Sequence, residues 1–141
     1  MTRGSVGGAA GPDAGPTHRG SCLCGAVRYR VEGPLRAVRA CHCTQCRKSS
    51  GHHVAATECA SADLALKGAA PAWYASSAEA SRAFCPTCGS NLFWRRAQGV
   101  RTSIFAGTLD GPTGLRMDSQ VHAGSKGDYY ALPDVPVLGR S

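Results

Sequence analysis

The sequence is poor in the residues that build a large apolar core. Aromatics make up only 6% of its 141 residues, and there are two Met. Hydrophobic residues reach 43%, near a globular average, but much of that is alanine, which buries little area. A core this thin excludes two independently folding domains in so short a chain, and it calls for cross-links. Nowhere do eighteen apolar residues run together, which excludes a membrane-spanning helix. The first twenty residues lack the apolar stretch of a secretory leader, which points to the cytoplasm. No window sustains a 3.6-residue apolar period, so little helix is expected and the fold class reads as mainly β. Acidic residues are also scarce, nine against sixteen Lys and Arg, giving a formal charge of +7.

What the chain does have is eight cysteines. In a reducing compartment clustered cysteines read as metal ligands or redox groups sooner than as disulfides. Three clusters stand out: Cys22-Leu23-Cys24-Gly25, Cys41-His42-Cys43-Thr44-Gln45-Cys46, and Cys85-Pro86-Thr87-Cys88-Gly89. A tetrahedral zinc holds sulfurs at about 2.3 Å, so chelating sulfurs lie roughly 3.8 Å apart. Residues i and i+2 of an extended strand are about 6.6 Å apart, so Cys22-Leu23-Cys24 must bend, and Gly25 permits the bend. Cys85 and Cys88 form the usual knuckle, followed by a glycine suited to a positive φ. Together Cys22, Cys24, Cys85 and Cys88 make a four-sulfur set that would clamp distant segments, worth roughly 10 kcal/mol or more as a structural zinc site. The competing reading of Cys85 and Cys88 is a thioredoxin-like redox pair, but that needs a following helix, and Ser90 to Arg95 reads as strand.

The central trio Cys41, Cys43 and Cys46 offers three ligands and leaves a position free, the pattern of a reactive zinc. The alternative is a second closed site, completed by Cys59, His42, His52, His53 or His122. Three thiolates on one zinc give a net charge near −1. Such an electron-rich centre suits a soft thiolate or an aldehyde oxygen better than hydroxide attack. Two zinc ions and seven thiolates would reduce the formal charge to about +4, and no dense basic run or aromatic-interleaved basic strip marks a nucleic-acid surface.

Organisation follows from the same reading. Residues 1–19, rich in Gly, Pro and small residues, read as a flexible tail, residues 20–136 as one domain, and residues 137–141 as a C-terminal tail. Strands are expected at 26–31, 35–40, 54–57, 64–66, from 73, at 81–84, 91–95, 102–106 and 120–122, with one or two helical turns at 44–49.

Gly20 to Tyr29, Cys41 to Gly51 and Phe84 to Phe93 together resemble the glutathione-dependent formaldehyde-activating enzyme family, which also contains centromere protein V. Ala106 to Asp110 and the stretch from His122 through Ser125-Lys126 to Leu132-Pro133 agree with its closing strands. The resemblance implies a β-tent fold of small antiparallel sheets, a structural zinc on Cys22, Cys24, Cys85 and Cys88, and a second zinc at the substrate site on Cys41, Cys43 and Cys46. It implies a carbon–sulfur lyase acting on a small thiol or aldehyde, with glutathione and formaldehyde as the name-giving pair. In our leading reading His52 or His53 moves the proton, and Arg47, Lys48, Arg95 or Arg96 pairs with substrate carboxylates. Two other functions compete: a non-catalytic zinc-stabilised module binding nucleic acid or protein, and a thiol sensor using Cys59.

Overall fold

The computed structural model describes residues 16–139. Alternation along Val27–Glu32 buries Val27, Tyr29 and Val31 and turns Arg28 and Glu32 outward, the period-2 pattern of a strand with one covered face. This strand, β2, lies between β1 (Thr17–Ser21) and β5 (Leu64–Gly68) in a three-stranded antiparallel sheet. The remaining strands are β3 (Val38–Cys41), β4 (Val54–Ala60), β6 (Ala72–Ala75), β7 (Ala80–Phe84), β8 (Asn91–Arg96), β9 (Arg101–Phe105) and β10 (Met117–Val121). They form a seven-stranded sheet in the order β10-β3-β4-β9-β8-β7-β6. Every pairing in it is antiparallel except that of β10 with β3. The single α-helix among the described residues, α1, spans Thr44–Ser50. The mainly β expectation holds, with cysteine knuckles, little helix and the β-tent arrangement. No helix of the described residues is long and apolar enough to cross a membrane.

The ordered pairing starts earlier than Gly20. Thr17, His18 and Arg19 face Glu32, Val31 and Arg30, and the Thr17 hydroxyl donates to Glu32 Oε1 at 2.8 Å. The rest of the expected N-terminal tail, residues 1–15, lies outside the described residues, as do residues 140–141. The expected C-terminal tail is tied down at its start, because Val137 bridges Gln120 and the Leu138 N–H donates to the Gln120 carbonyl at 2.8 Å.

The two sheets meet through Tyr29 and Phe93, whose rings cross edge to face with centroids 5.2 Å apart. Val27, Val31, Leu92, Ile104 and Cys59 complete this core. It is packed closely enough that a Cβ on Gly20 would come within 2.1 Å of Tyr29 Cζ. The large sheet has two unlike faces. Ala83, Phe93, Ile104 and Thr57 stand in register across β7, β8, β9 and β4, all buried on the core side. The adjacent row, Arg82, Trp94, Ser103 and Glu58, therefore faces the other way.

Candidate metal centre

Two cysteine groups converge, each with its Sγ atoms within 4.8 Å of one another: Cys22, Cys24, Cys85 and Cys88, and Cys41, Cys43 and Cys46. In the first, Cys22 Sγ lies 3.6 Å from Cys24 Sγ, and Cys24 Sγ lies 3.8 Å from Cys85 Sγ. These separations suit sulfurs about 2.3 Å from one tetrahedral zinc. Gly25 and Gly89 both take φ of +80°, closing each knuckle in the left-handed region that a side chain resists. The Val27 N–H donates to Cys22 Sγ at 3.3 Å, and the Thr87 N–H to Cys85 Sγ at 3.4 Å. Leu23 N–H donates to Ser90 Oγ at 3.0 Å, which joins the two knuckles directly. Ser90 also holds the Cys88 thiol down to about 5 through its hydroxyl and backbone contacts. Cys22 and Cys85 belong to the hydrophobic core, so this group sits as a clamp under the fold.

The trio is built differently. Cys41 ends β3, Cys43 is the N-cap of α1 with its sulfur accepting from the Cys46 N–H at 3.3 Å, and Cys46 lies in the helix's first turn. Gly51 ends the helix by donating its N–H to the Arg47 carbonyl. Among the described residues no fourth His, Cys, Asp or Glu ligand atom lies within 4.8 Å of all three sulfurs. Arg82 Nη2 donates to Cys46 Sγ at 3.4 Å. Cys46 is lowered to about 5, first by the hydrogen bond with the Cys41 thiol and then by the Arg82 guanidinium, while Cys41 is raised by the same bond and by burial. Soft thiolates at this spacing fit zinc.

All three sulfurs line a cleft of about 550 Å³ on the outward face of the large sheet. Arg36, Arg39, Arg82 and Arg96 also line it, with Glu58, Trp94, Phe105 and His122. The sheet register explains the grouping. Arg39 shares the face of Cys41 two residues on, and Cys41 pairs with Val54. Glu58 is already engaged, 3.8 Å from Arg36 and 3.0 Å from Arg101. Burial, with Arg39 nearby, lowers the Arg36 guanidinium from its usual range. His122 is the one non-glycine with positive φ among the described residues, at φ 58° and ψ 39°.

Several expected site residues fall elsewhere. His52 and His53 are absent from the cleft wall: His52 stacks on Tyr130 with centroids 4.2 Å apart, and His53 lies tilted against His52 at 4.3 Å and edge-on to Tyr130 at 6.2 Å. Alternation is the reason. Cys41, Cys43 and Val54 face the cleft, so His42 and His53 face away. His42 is fully buried there. Its Nε2 donates to Gln120 Oε1 at 2.8 Å, and the Gln120 amide donates to the Pro133 and Val135 carbonyls, both at 2.9 Å. Nδ1 is then left to accept the Tyr130 hydroxyl at 3.0 Å. Arg95 also points away, stacking on Trp73 at 4.8 Å and donating to Thr102 Oγ1 at 2.9 Å, while Trp94 and Arg96 on either side line the cleft. Neither Arg47 nor exposed Lys48 lines it. Cys59 does not complete the trio: it is buried in the core opposite Glu58, its thiol pushed up to about 11 by burial. Arg39 could have been found from its i−2 spacing to Cys41. Arg82 had no local signal, since only sheet register brings it to Cys46.

Comparison with known proteins agrees with this geometry. A solved crystal structure of a Rhodobacter sphaeroides protein superposes with a TM-score of 0.58 at 24% identity, covering 85% of this chain and 99% of that one, so the fold is shared. An uncharacterised lyase of Schizosaccharomyces pombe is 30% identical over 116 residues, 82% of this chain and 85% of that protein. The family model described as glutathione-dependent formaldehyde-activating enzyme matches residues 17–125, a span holding all seven clustered cysteines and the cleft-lining His122. The chain belongs to the glutathione-dependent formaldehyde-activating enzyme family.

Proposed function

We propose that the protein is a zinc-dependent, lyase-like enzyme that makes and breaks the carbon–sulfur bond of a small thiol–aldehyde adduct, as in S-(hydroxymethyl)glutathione formed from glutathione and formaldehyde. The observation that carries this reading is three converging thiols, without a fourth protein donor among the described residues, in the wall of an arginine-lined cleft. Cys22, Cys24, Cys85 and Cys88 would hold a structural zinc, and Cys41, Cys43 and Cys46 a second one at the cleft. Bound there, zinc supplies a soft Lewis acid that stabilises a thiolate or polarises an aldehyde oxygen.

The protein's own residues do the rest. Arg39 and Arg96, free of carboxylate partners among the described residues, attract the carboxylates of a glutathione-like thiol, with Arg36 beside them. They take the role expected of Arg47, Lys48 and Arg95. Trp94 and Phe105 cover the ligand's apolar stretch and keep water out. His122, exposed at the cleft, is the histidine placed to pass a proton to or from the ligand, the role expected of His52 and His53. In adduct formation the thiol gives up its proton and its sulfur bonds to the aldehyde carbon. The carbon–oxygen π bond breaks, and the oxygen takes a proton to become hydroxyl; cleavage is the reverse. A recess of about 550 Å³ suits one small ligand and does not match a nucleic-acid backbone. All eight cysteines are free thiols, in keeping with a cytoplasmic setting.

The test is exchange NMR on glutathione with carbon-13 formaldehyde, because the uncatalysed reaction also reaches equilibrium. Zinc-loaded protein should accelerate exchange between free and adduct carbon, and Cys43→Ala should abolish the acceleration. Exchange rates unaffected by the wild-type protein over a panel of thiols would remove the assignment.

A further inference from the structure

Arg82 is a cation with no carboxylate to answer it. It is 6% exposed, takes part in none of the ion pairs among the described residues, and its Nε has no hydrogen-bond partner there. Its cross-strand neighbours are Trp94 on β8 and Tyr74 on β6, and among the described residues its one side-chain hydrogen bond goes to Cys46 Sγ at 3.4 Å. A buried, unpaired guanidinium is strongly unfavourable unless an anion lies against it. The anionic charge within reach is that of the thiolates. Three thiolates and a divalent ion sum to −1, and Arg82 brings that unit to neutrality.

From this we propose that Arg82 is a positioning residue for the cleft metal, an inference that rests on the metal-binding reading of the trio. Its N–H fixes the Cys46 sulfur and draws electron density from it. The trio then donates less to the metal and leaves it a stronger Lewis acid than three unassisted thiolates would. The electron-rich character expected from ligand count alone is thereby offset by a residue from another strand.

Cobalt(II) substitution reads this without turnover, through the sulfur-to-metal charge-transfer band and the dissociation constant of each equivalent. Wild type should take up two ions. In Arg82→Gln the four-sulfur site should keep its spectrum, while the second ion should bind at least tenfold more weakly, with its charge-transfer band moved to lower energy. Arg82→Lys, which retains the cation, should stay within about threefold of wild type. A second-site band and affinity unchanged in Arg82→Gln would overturn the proposal, as would equal losses in the two variants. Uptake of a single ion by wild type would instead remove the reading of the trio on which it rests. Should Arg82→Gln fail to fold, nitrogen-15 spectra of the wild-type guanidinium groups decide. One slowly exchanging guanidinium should shift with the second equivalent of cadmium, and no response from any would refute the assignment.

Discussion

Cys85→Ser removes a sulfur from the four-cysteine clamp and with it a connection spanning 61 residues, from Cys24 to Cys85. Treated as a cross-link that closes a loop of that length, the connection contributes about 4 kcal/mol through the unfolded state. Domains of this size are stable by only about 5–15 kcal/mol, so the variant should sit close to its unfolding threshold. Cys43→Ala makes a contrasting perturbation. Its partners, Cys41 and Cys46, are near in sequence and already held by β3 and α1, so little loop entropy is at stake. What it loses for stability is the N-cap bond from the Cys46 N–H, worth about 1 kcal/mol. Guanidinium unfolding of zinc-replete protein, with zinc content measured on the same samples, separates the two. Cys85→Ser should lose at least about 4 kcal/mol, the loop-closure contribution alone, and Cys43→Ala about 1 kcal/mol together with one of two zinc ions. Equal losses of stability would refute the division into a clamp and an open centre, and a wholly unfolded Cys43→Ala would show that the trio is structural.

Three further outcomes follow from the packing and the cleft. Gly20→Ala would drive a methyl to 2.1 Å from Tyr29 Cζ and should cost about 1–3 kcal/mol by overpacking, read as a lower thermal midpoint with zinc content unchanged. Arg39→Ala and Arg96→Ala should each lower kcat/KM for a carboxylate-bearing thiol about tenfold, mainly through KM, the loss of one charged hydrogen bond. Arg47→Ala and Arg95→Ala, whose side chains lie outside the cleft lining, should leave both constants unchanged. Burial lowers the His53 pKa below 6.5, with His52 and His42 adding to the effect. The unfolded chain then binds that proton more readily than the native one, so stability is full above pH 6.5 and falls as pH drops through the folded value. Denaturant midpoints at pH 5 and pH 7.5 should differ less in His53→Gln than in wild type.

The convergence of sulfurs within each cysteine motif was legible in the sequence, because spacings of one or two residues are brought together by local turns, whereas the meeting of Cys24 with Cys85 across 61 residues is made by the fold. The knuckle glycines, the short helix after Cys43 and the alternation of Val27 to Glu32 are local in the same sense. The expected site residues that lie outside the cleft lining show where locality ends. His52 and His53 were chosen for closeness in sequence to the trio, yet β4 alternation gives Val54 to the cleft and His53 to Tyr130. Arg95 and Arg96 were equivalent in the sequence, and only the register of β8 against β9 separates them. Arg82 is furthest from view. It sits 36 residues from the sulfur it serves, on a strand three places along the sheet from β4. Thr17 to Arg19 look like tail in the sequence because their strand pairing with β2 is set by distant residues.

The alternation of residues between the two faces of each strand in the large sheet also shapes how the protein can change. Phe93 and Ile104 maintain the fold on one side, while Trp94 and Ser103, their immediate chain neighbours, line the cleft on the other with Arg96 and Glu58 of the same face. Selection can therefore retune the visitor at every second position without disturbing what holds the scaffold together. A library restricted to Arg39, Glu58, Trp94, Arg96, Ser103 and Phe105 would sample new specificities on a constant core, and descent within the family could diverge in substrate along the same six positions.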